Sequence, residues 1–329
     1  MPDPRDVHLQ TVAKAVLDGR VIFFLGAGVN RCGRPLGVQW DLELRRYLPD
    51  GRELAEYLAR QTMYPQSDAS DLLRVSQYLS VMEGSGPLYE RLHQVFDADY
   101  PPTSVHQLLS CIPALLRARG PVAQYPLIVT TNYDDLMERA LREAHEEYEL
   151  VVYVADGHEQ GKFVHSPPGE DPRIIEVPNE YGSIGLDRRT VVMKIHGSVD
   201  RQMPDRDSFV ITEDHYIDYL TRTDLGSLVP VVLAAKLRRS HFLFLGYGLR
   251  DWNLRVILHR ITREQTLSYK SWAIQFRPDE LEQKFWENRK VEILDVPLEQ
   301  YVEGLHGKLE PPPPPAPPPP AAEAQAGTP

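Results

Sequence analysis

Val21-Ile22-Phe23-Phe24-Leu25-Gly26-Ala27-Gly28-Val29-Asn30 is an unbroken apolar run that ends in a glycine turn. A short apolar run bounded by turn residues reads as a strand buried on both faces. The pattern returns twice. Leu127-Ile128-Val129-Thr130 runs into Thr131-Asn132-Tyr133-Asp134, and Val191-Val192-Met193-Lys194-Ile195 runs into His196-Gly197. Strands without apolar–polar alternation belong to a parallel sheet covered by helices on both sides. In such a sheet, ligands bind in the crevice outside the carboxyl ends of the strands. The glycine turn, the Asn132/Asp134 pair and His196 are therefore expected to converge on one molecule. That set of groups suits a nucleotide with phosphates, a ribose and a bond to be broken.

Working outward, Leu9, Val12, Ala13, Val16 and Leu17 recur at helical spacing ahead of the first strand, and Gly19 stops that helix. Residues from about 38 to 119 read mostly as helices. Leu54, Tyr57 and Leu58 form one apolar face, Leu72, Leu73, Val75, Tyr78 and Leu79 a second, and His106 to Arg119 a third, with Pro113 as a kink or start. This stretch is too long for a simple crossover and is expected to be a helical subdomain inserted beside the site. After a helix from Asp134 to about His145 comes a strand at Leu150–Val154. Residues 156–188, rich in Gly, Pro, Asp and Glu, have no clear period and are expected to form a flap over the site or else a surface excursion or short hairpin. Further strands are predicted at Phe209–Thr212, Phe242–Leu245, Trp272–Phe276 and Val291–Leu294. Helices near 213–222, 226–239, 251–263, 279–288 and 298–309 separate and follow them. The fold class is thus α/β, a Rossmann-like, mostly parallel sheet with an inserted helical subdomain, spanning residues 1–309. Residues 310–329, almost pure Pro and Ala, are expected to be a disordered, extended tail.

The chain has 329 residues, 42% of them hydrophobic, and a net charge of −11. That balance argues against broad attraction to nucleic acid or an anionic membrane. Arg250, Arg255, Arg260 and Arg263 are read as a solvated helix face. Cys32 and Cys111 are the only cysteines, too few for a four-cysteine zinc site or a disulfide framework. With no membrane-length apolar run and no secretory core near the start, a cytoplasmic location is expected.

Each strand-end segment carries a structural reading beside its chemical one. Gly26-Ala27-Gly28 lets backbone N–H groups approach a pyrophosphate. A full dinucleotide fingerprint would place glycine at position 31, where Arg31 stands. Asp134 is suited to cap the next helix. Asn132, with an amide that donates and accepts, would hold a ribose hydroxyl or orient a water. His196 suits proton transfer near neutrality. Ser198 lacks the context of a nucleophile. Gly246-Tyr247-Gly248 ends another strand, with Asp251 as a helix cap, and would receive the adenosine half of a dinucleotide.

In combination these segments resemble the sirtuin-like (silent-information-regulator-like) NAD-consuming superfamily, from about residue 20 to about 265. The matching stretches are Gly26-Ala27-Gly28-Val29, Thr131-Asn132-Tyr133-Asp134, Lys194-Ile195-His196-Gly197, and Gly246-Tyr247-Gly248 through Asp251. Thr212 to Tyr216 is similar to the Thr-x-x-x-Tyr turn of that family. The resemblance implies NAD as substrate, Asn132 and His196 as the catalytic pair, and Asp134 as a neighbouring carboxylate. It places Gly26, Ala27, Gly28 and Asn30 on the phosphate side, with Gly246, Tyr247 and Asp251 also at the dinucleotide. Two departures stand out. The four zinc-binding cysteines that deacylases of this family carry after the histidine segment are missing, and Pro35-Leu36-Gly37-Val38-Gln39-Trp40 replaces their Pro-Asp-Phe-Arg stretch. The chain is therefore closer to the zinc-less bacterial antiphage type that hydrolyses NAD. That type implies a homo-oligomer or a defence partner, such as a nucleic-acid-sensing ATPase. The alternatives are an NAD-dependent deacylase or ADP-ribosyl transferase, and a non-catalytic NAD or ADP-ribose sensor.

Overall fold

A computed structural model describes residues 3–65, 68–221, 229–248 and 269–310. Its strands are β1 Val21–Leu25, β2 Leu127–Thr130, β3 Tyr148–Tyr153, β4 Phe163–Ser166, β5 Arg173–Ile175, β6 Thr190–Lys194, β7 Gly197–Ser198, β8 Ser208–Phe209, β9 His241–Leu245, β10 Ser271–Gln275 and β11 Val291–Asp295. Nine of them form one sheet in the order β11-β10-β9-β1-β2-β6-β3-β4-β5. From β11 to β3 every pairing is parallel; β4 and β5 are antiparallel. On one side of β1 the chain lays β2, leaves a gap, adds β3, β4 and β5, and returns to insert β6 between β2 and β3; it then lays β9, β10 and β11 on the other side. β1 is thus the switch point, where a crevice opens at the strand ends. Leu25 is in register with Thr130 and with Leu245, and Thr130 with Lys194. The residues that follow those four therefore emerge side by side.

The central strands are buried along both faces, as their uninterrupted apolar sequence predicts. Ile22, Phe24, Val129, Met193 and Phe244 face one core, closed by Leu233 and Leu237 of helix Val231–Arg238 and by Trp286 of helix Glu280–Glu287. Phe23, Leu25, Ile128, Val192 and Leu243 face the other. That side is covered by helices Pro4–Leu17, Ser104–Ala118, Leu136–Glu143 and Leu298–Leu309. Each fully buried Phe or Leu contributes roughly 1.5–3 kcal/mol.

The stretch 38–119 divides in two. Helices Gly51–Arg60, Leu72–Glu83 and Ser85–Phe96 share a third core through Leu54, Leu58, Val75, Leu79, Leu88 and Leu92. Helix Ser104–Ala118, with Pro113 inside it, instead lies on the sheet through Leu108, Leu109 and Ile112. Residues 38–50 form turns, not helix. Asp50 ends them with a capping box: its carboxylate accepts from the Glu53 amide, and the Glu53 carboxylate accepts from the Asp50 amide. The helix at Ser85–Phe96 is separate from its predecessor because Gly84, at φ 95°, breaks the chain and Pro87 stands in the next first turn.

Of the alternatives for residues 156–188, the hairpin holds: they carry the antiparallel strands β4 and β5, which extend the sheet beyond β3, and Phe163, His165 and Ile175 turn inward there. One expectation shifts. The strand expected at Phe209–Thr212 is only Ser208–Phe209, paired antiparallel with Gly197–Ser198 outside the large sheet. Gly197 makes that ribbon possible. It sits at φ 85°, and a Cβ there would meet the Ser208 carbonyl carbon and Oγ. Thr212 leaves the strand because its hydroxyl accepts from the His215 amide and caps helix Glu213–Thr221. The helix expected near 251–263, the four arginines around it, Asp251 and the tail 311–329 lie outside the described residues.

Candidate active site

The site is assembled from the loops that leave β1, β2, β6 and β9. After β1, residues Ala27–Arg31 wind into a short 3-10 helix. The Gly26 amide donates to the Leu245 carbonyl at 3.1 Å, and the Gly28 amide to the Gly246 carbonyl at 2.8 Å. A Cβ on Gly28 would stand 2.6 Å from the Gly246 oxygen. The glycines therefore serve first to let two strand-end loops touch. The Gly28 N–H is committed to that contact. Tyr247, next along, packs its ring edge on Phe24 and accepts from Gln275 through its backbone oxygen.

After β2, the Thr130 hydroxyl donates to the Leu25 carbonyl at 3.1 Å and accepts from the Asn132 amide at 3.0 Å. The Asn132 side-chain Nδ2 reaches the Gly26 carbonyl at 3.3 Å. Asn132 is thereby tied to the glycine turn across the strand gap. Asp134 accepts from Asn30 Nδ2 at 2.8 Å and, with its other oxygen, from the Leu136 amide at 3.1 Å. It caps the helix and pins Asn30 at once. Asn30 Oδ1 is buried without a partner among the described residues.

The loop is held from beneath by Lys194, which is fully buried. Its ammonium donates to the carbonyls of Tyr133 and Asp134 and pairs with buried Glu138 at 3.0 Å. Burial pushes the Glu138 carboxyl up, and the Lys194 charge opposes this. The sequence reading quoted Lys194 only as part of a motif. The signal was available: a lysine interrupting an apolar strand must find partners inside the protein.

His196 leaves β6 and is 3% exposed. The rings of Tyr216 and Tyr219 stand edge-on to it, with centroids 5.4 and 5.9 Å away. Burial pulls its pKa down to about 3, so the imidazole is neutral at physiological pH. Its Nε2 has no hydrogen-bond partner among the described residues. Ser198, by contrast, donates its hydroxyl to backbone carbonyls, in keeping with a structural role. Thr212 and Tyr216 take their places through a cluster at the helix start. His215 Nδ1 accepts from the amides of Ile211 and Thr212, its Nε2 donates to Asp156 at 3.2 Å, and Tyr89 of the helical module donates to the same carboxylate at 2.7 Å.

These loops enclose a cleft of about 460 Å³. Gly26, Ala27, Gly28, Asn30, Asn132, Asp134, His196, Gly246 and Tyr247 all line it. Of the expected site residues, only Asp251 lies outside the described residues. The helical module expected beside the site supplies the opposite wall through Leu54, Leu72 and Phe96, and Tyr216 stands beside His196. The sequence reading missed that Arg31, which breaks the glycine fingerprint, lines the cleft and pairs with Asp50 at 3.3 Å. A larger cavity of about 780 Å³ shares only Asn30 with this one and contains neither Asn132 nor His196. Cys32 and Cys111 both line it. Burial and the nearby Glu299 push the Cys32 thiol up to about 12, which keeps it protonated. Among the described residues there is no cluster of His, Cys, Asp and Glu able to hold a metal ion, and no helix is long and apolar enough to cross a membrane.

The cleft has the dimensions and shape of a small-molecule site. It offers a neutral imidazole with an open nitrogen, a fixed amide and the Arg31 cation beside the glycine turn. Comparison with known proteins points the same way. The chain is 28% identical over 259 residues to a protein named NAD(+) hydrolase ThsA from Acinetobacter baumannii (strain 532279), covering 78% of this chain and 42% of that protein. It is 25% identical over 307 residues to the protein of the same name from Bacillus cereus (strain MSX-D12), covering 90% and 52%. It is 23% identical over 293 residues to defense-associated sirtuin 2 of Bacillus subtilis, covering 87% and 24%. The chain thus spans about half or less of the length of these relatives. Residues 126–294, from the start of β2 into β11, match the SIR2-like domain. With that match over half of its length, the chain belongs to the SIR2-like domain family.

Proposed function

We propose that the chain is an NAD+ glycohydrolase that cleaves the nicotinamide–ribose bond and acts as an effector of bacterial antiphage defence. The observation that carries this reading is the meeting of Asn132 and His196 on one cleft with the glycine turn. The names of the similar proteins, NAD(+) hydrolase and defense-associated sirtuin, support it. The cleft fits the substrate in two respects. Two buried polar atoms, Asn30 Oδ1 and His196 Nε2, lack partners among the described residues, and Arg31 supplies a cation beside the turn.

Asn132, with its Nδ2 held by the Gly26 carbonyl, keeps its Oδ1 to accept from a water. The bond from the ribose carbon to the pyridinium nitrogen breaks, and its electron pair neutralises the ring. No strong acid is needed for that departure. The water oxygen bonds to the ribose carbon, and its proton passes to His196 Nε2. The products are nicotinamide and ADP-ribose. Positioning and base assistance of this kind typically contribute about 10² to 10⁴-fold.

Unrestrained hydrolysis would starve the cell, so turnover is gated, either by self-assembly or by a partner such as a nucleic-acid-sensing ATPase. The helical module, whose Leu54, Leu72 and Phe96 line the cleft, is the lever nearest it. Incubating the purified chain with NAD+ and separating products by chromatography tests the reaction. Equimolar nicotinamide and ADP-ribose are expected. Cyclised product, or release of nicotinamide only when an acylated or acceptor protein is added, would replace hydrolysis with cyclisation or transfer. Light scattering paired with NAD assays across protein concentration tests the gate. A fully active monomer, indifferent to concentration and to its operon neighbour, would refute it.

A further inference from the structure

At the opposite end of the sheet, where β1, β2 and β9 begin, a separate cavity of about 600 Å³ opens. It shares no lining residue with the strand-end cleft. Lys236 of helix Val231–Arg238 reaches into its wall and is only 6% exposed. The ammonium donates to the Gly19 carbonyl and to Gln124 Oε1, both neutral oxygens. Its third N–H has no acceptor, and no carboxylate lies within ion-pair distance, among the described residues. Gly19 follows the C-terminus of helix Pro4–Leu17, whose partial negative charge offsets at most about half of the lysine's. A buried charge left this way is costly unless something else neutralises it. Burial lowers the Lys236 pKa to about 8, which leaves it mostly protonated at neutral pH.

Arg20 and Arg239 line the same cavity and form no ion pair among the described residues. Asp18 and Asp187 are also on its wall, but both are exposed, and Asp187 has Arg188 as its neighbouring cation. In a chain of net charge −11, three cations that form no ion pair among the described residues, against two exposed carboxylates on the same wall, run against the average. Leu186 and Val232 supply an apolar side to the space.

We propose that this cavity binds a phosphate-bearing small molecule. Lys236 supplies the missing donor to the phosphate, Arg20 and Arg239 meet it from the rim, and the apolar side accommodates an organic group. The volume lies in the range of sites for drug-sized ligands. The inference does not depend on NAD cleavage.

Calorimetry on the full chain with inorganic phosphate and, separately, ribose 5-phosphate tests it. Saturable binding is expected, weakened at least about tenfold in Lys236→Gln, as loss of a charge-assisted contact implies. Arg20→Gln and Arg239→Gln change exposed residues and carry the test if Lys236→Gln fails to fold; each should weaken binding severalfold. Arg31→Gln, in the strand-end cleft, should leave it unchanged. Tighter binding of ribose 5-phosphate than of phosphate would identify an organic phosphate, and equal binding the free anion; either supports the site. Absence of saturable binding of both probes overturns the proposal. So does binding that survives Lys236→Gln, Arg20→Gln and Arg239→Gln, or binding that is lost in Arg31→Gln alone.

Discussion

His196 enters its socket uncharged, and that has consequences for pH on two axes. Its imidazole is held near pKa 3 by burial, against about 6.5 in an unfolded chain. The unfolded state therefore takes up the proton first as pH falls. The stability contributed by a neutral His196 is complete above about pH 6.5 and is lost as the pH drops from there toward 3. His106, buried beneath Asp134 and lowered to about 4, adds in the same direction. Melting temperatures between pH 8 and pH 4 should fall on the acid side, and by less in a folded His106→Gln variant. Activity should respond differently. Because the base stays neutral until well below pH 6.5, kcat/KM should show no acid limb near that value. A limb at 6.5 would mean that the reacting histidine is solvated and not the one described. Lys194 gives a second test. Lys194→Met strands a buried Glu138 and should cost about 3–5 kcal/mol in chemical denaturation. Lys194→Met with Glu138→Leu should recover much of that loss; a double variant as weak as the single one would contradict the pairing. Gly28→Ala, forced against the Gly246 carbonyl, should cost about 1–3 kcal/mol by overpacking.

At the scale of elements, the helical module and the sheet meet through side chains that touch the cleft from behind. Tyr89 and His215 share the Asp156 carboxylate, and His215 adjoins Tyr216, whose ring edges against His196. Tyr89→Phe removes a hydrogen bond to a half-buried carboxylate and should cost about 0.5–1.5 kcal/mol. If the cluster positions Tyr216, it should also change the KM for NAD+; an altered melting temperature with unchanged kinetics would confine the cluster to a structural role. The parallel strands were legible because Val21–Leu25, Leu127–Thr130 and Val191–Ile195 are short apolar runs without alternation that end in turn residues, a pattern a doubly covered sheet satisfies. The ends of those strands named the cleft. What escaped was set by partners distant in sequence. β4 and β5 are strands because β3 offers an edge, and nothing in the Gly- and Pro-rich stretch itself requires it. Phe209 reads as a sheet strand but pairs with Gly197 instead. The second use of the glycines, packing β1's loop on β9's, depends on a register that no local pattern reveals.

At the scale of the whole molecule, one sheet separates two unlike ends. The carboxyl end gathers Asn132, His196 and the glycine turn under a helical wall, and the amino end gathers Lys236, Arg20 and Arg239 around a second cavity. The central claim concerns the first. Turnover of NAD+ should be measured for the wild-type chain, Asn132→Ala and His196→Ala at matched concentration, with circular dichroism and melting temperature confirming that each is folded. The account predicts that each folded variant loses at least about 10²-fold in kcat, as expected when a positioned catalytic group is removed. Full activity in both folded variants would contradict it.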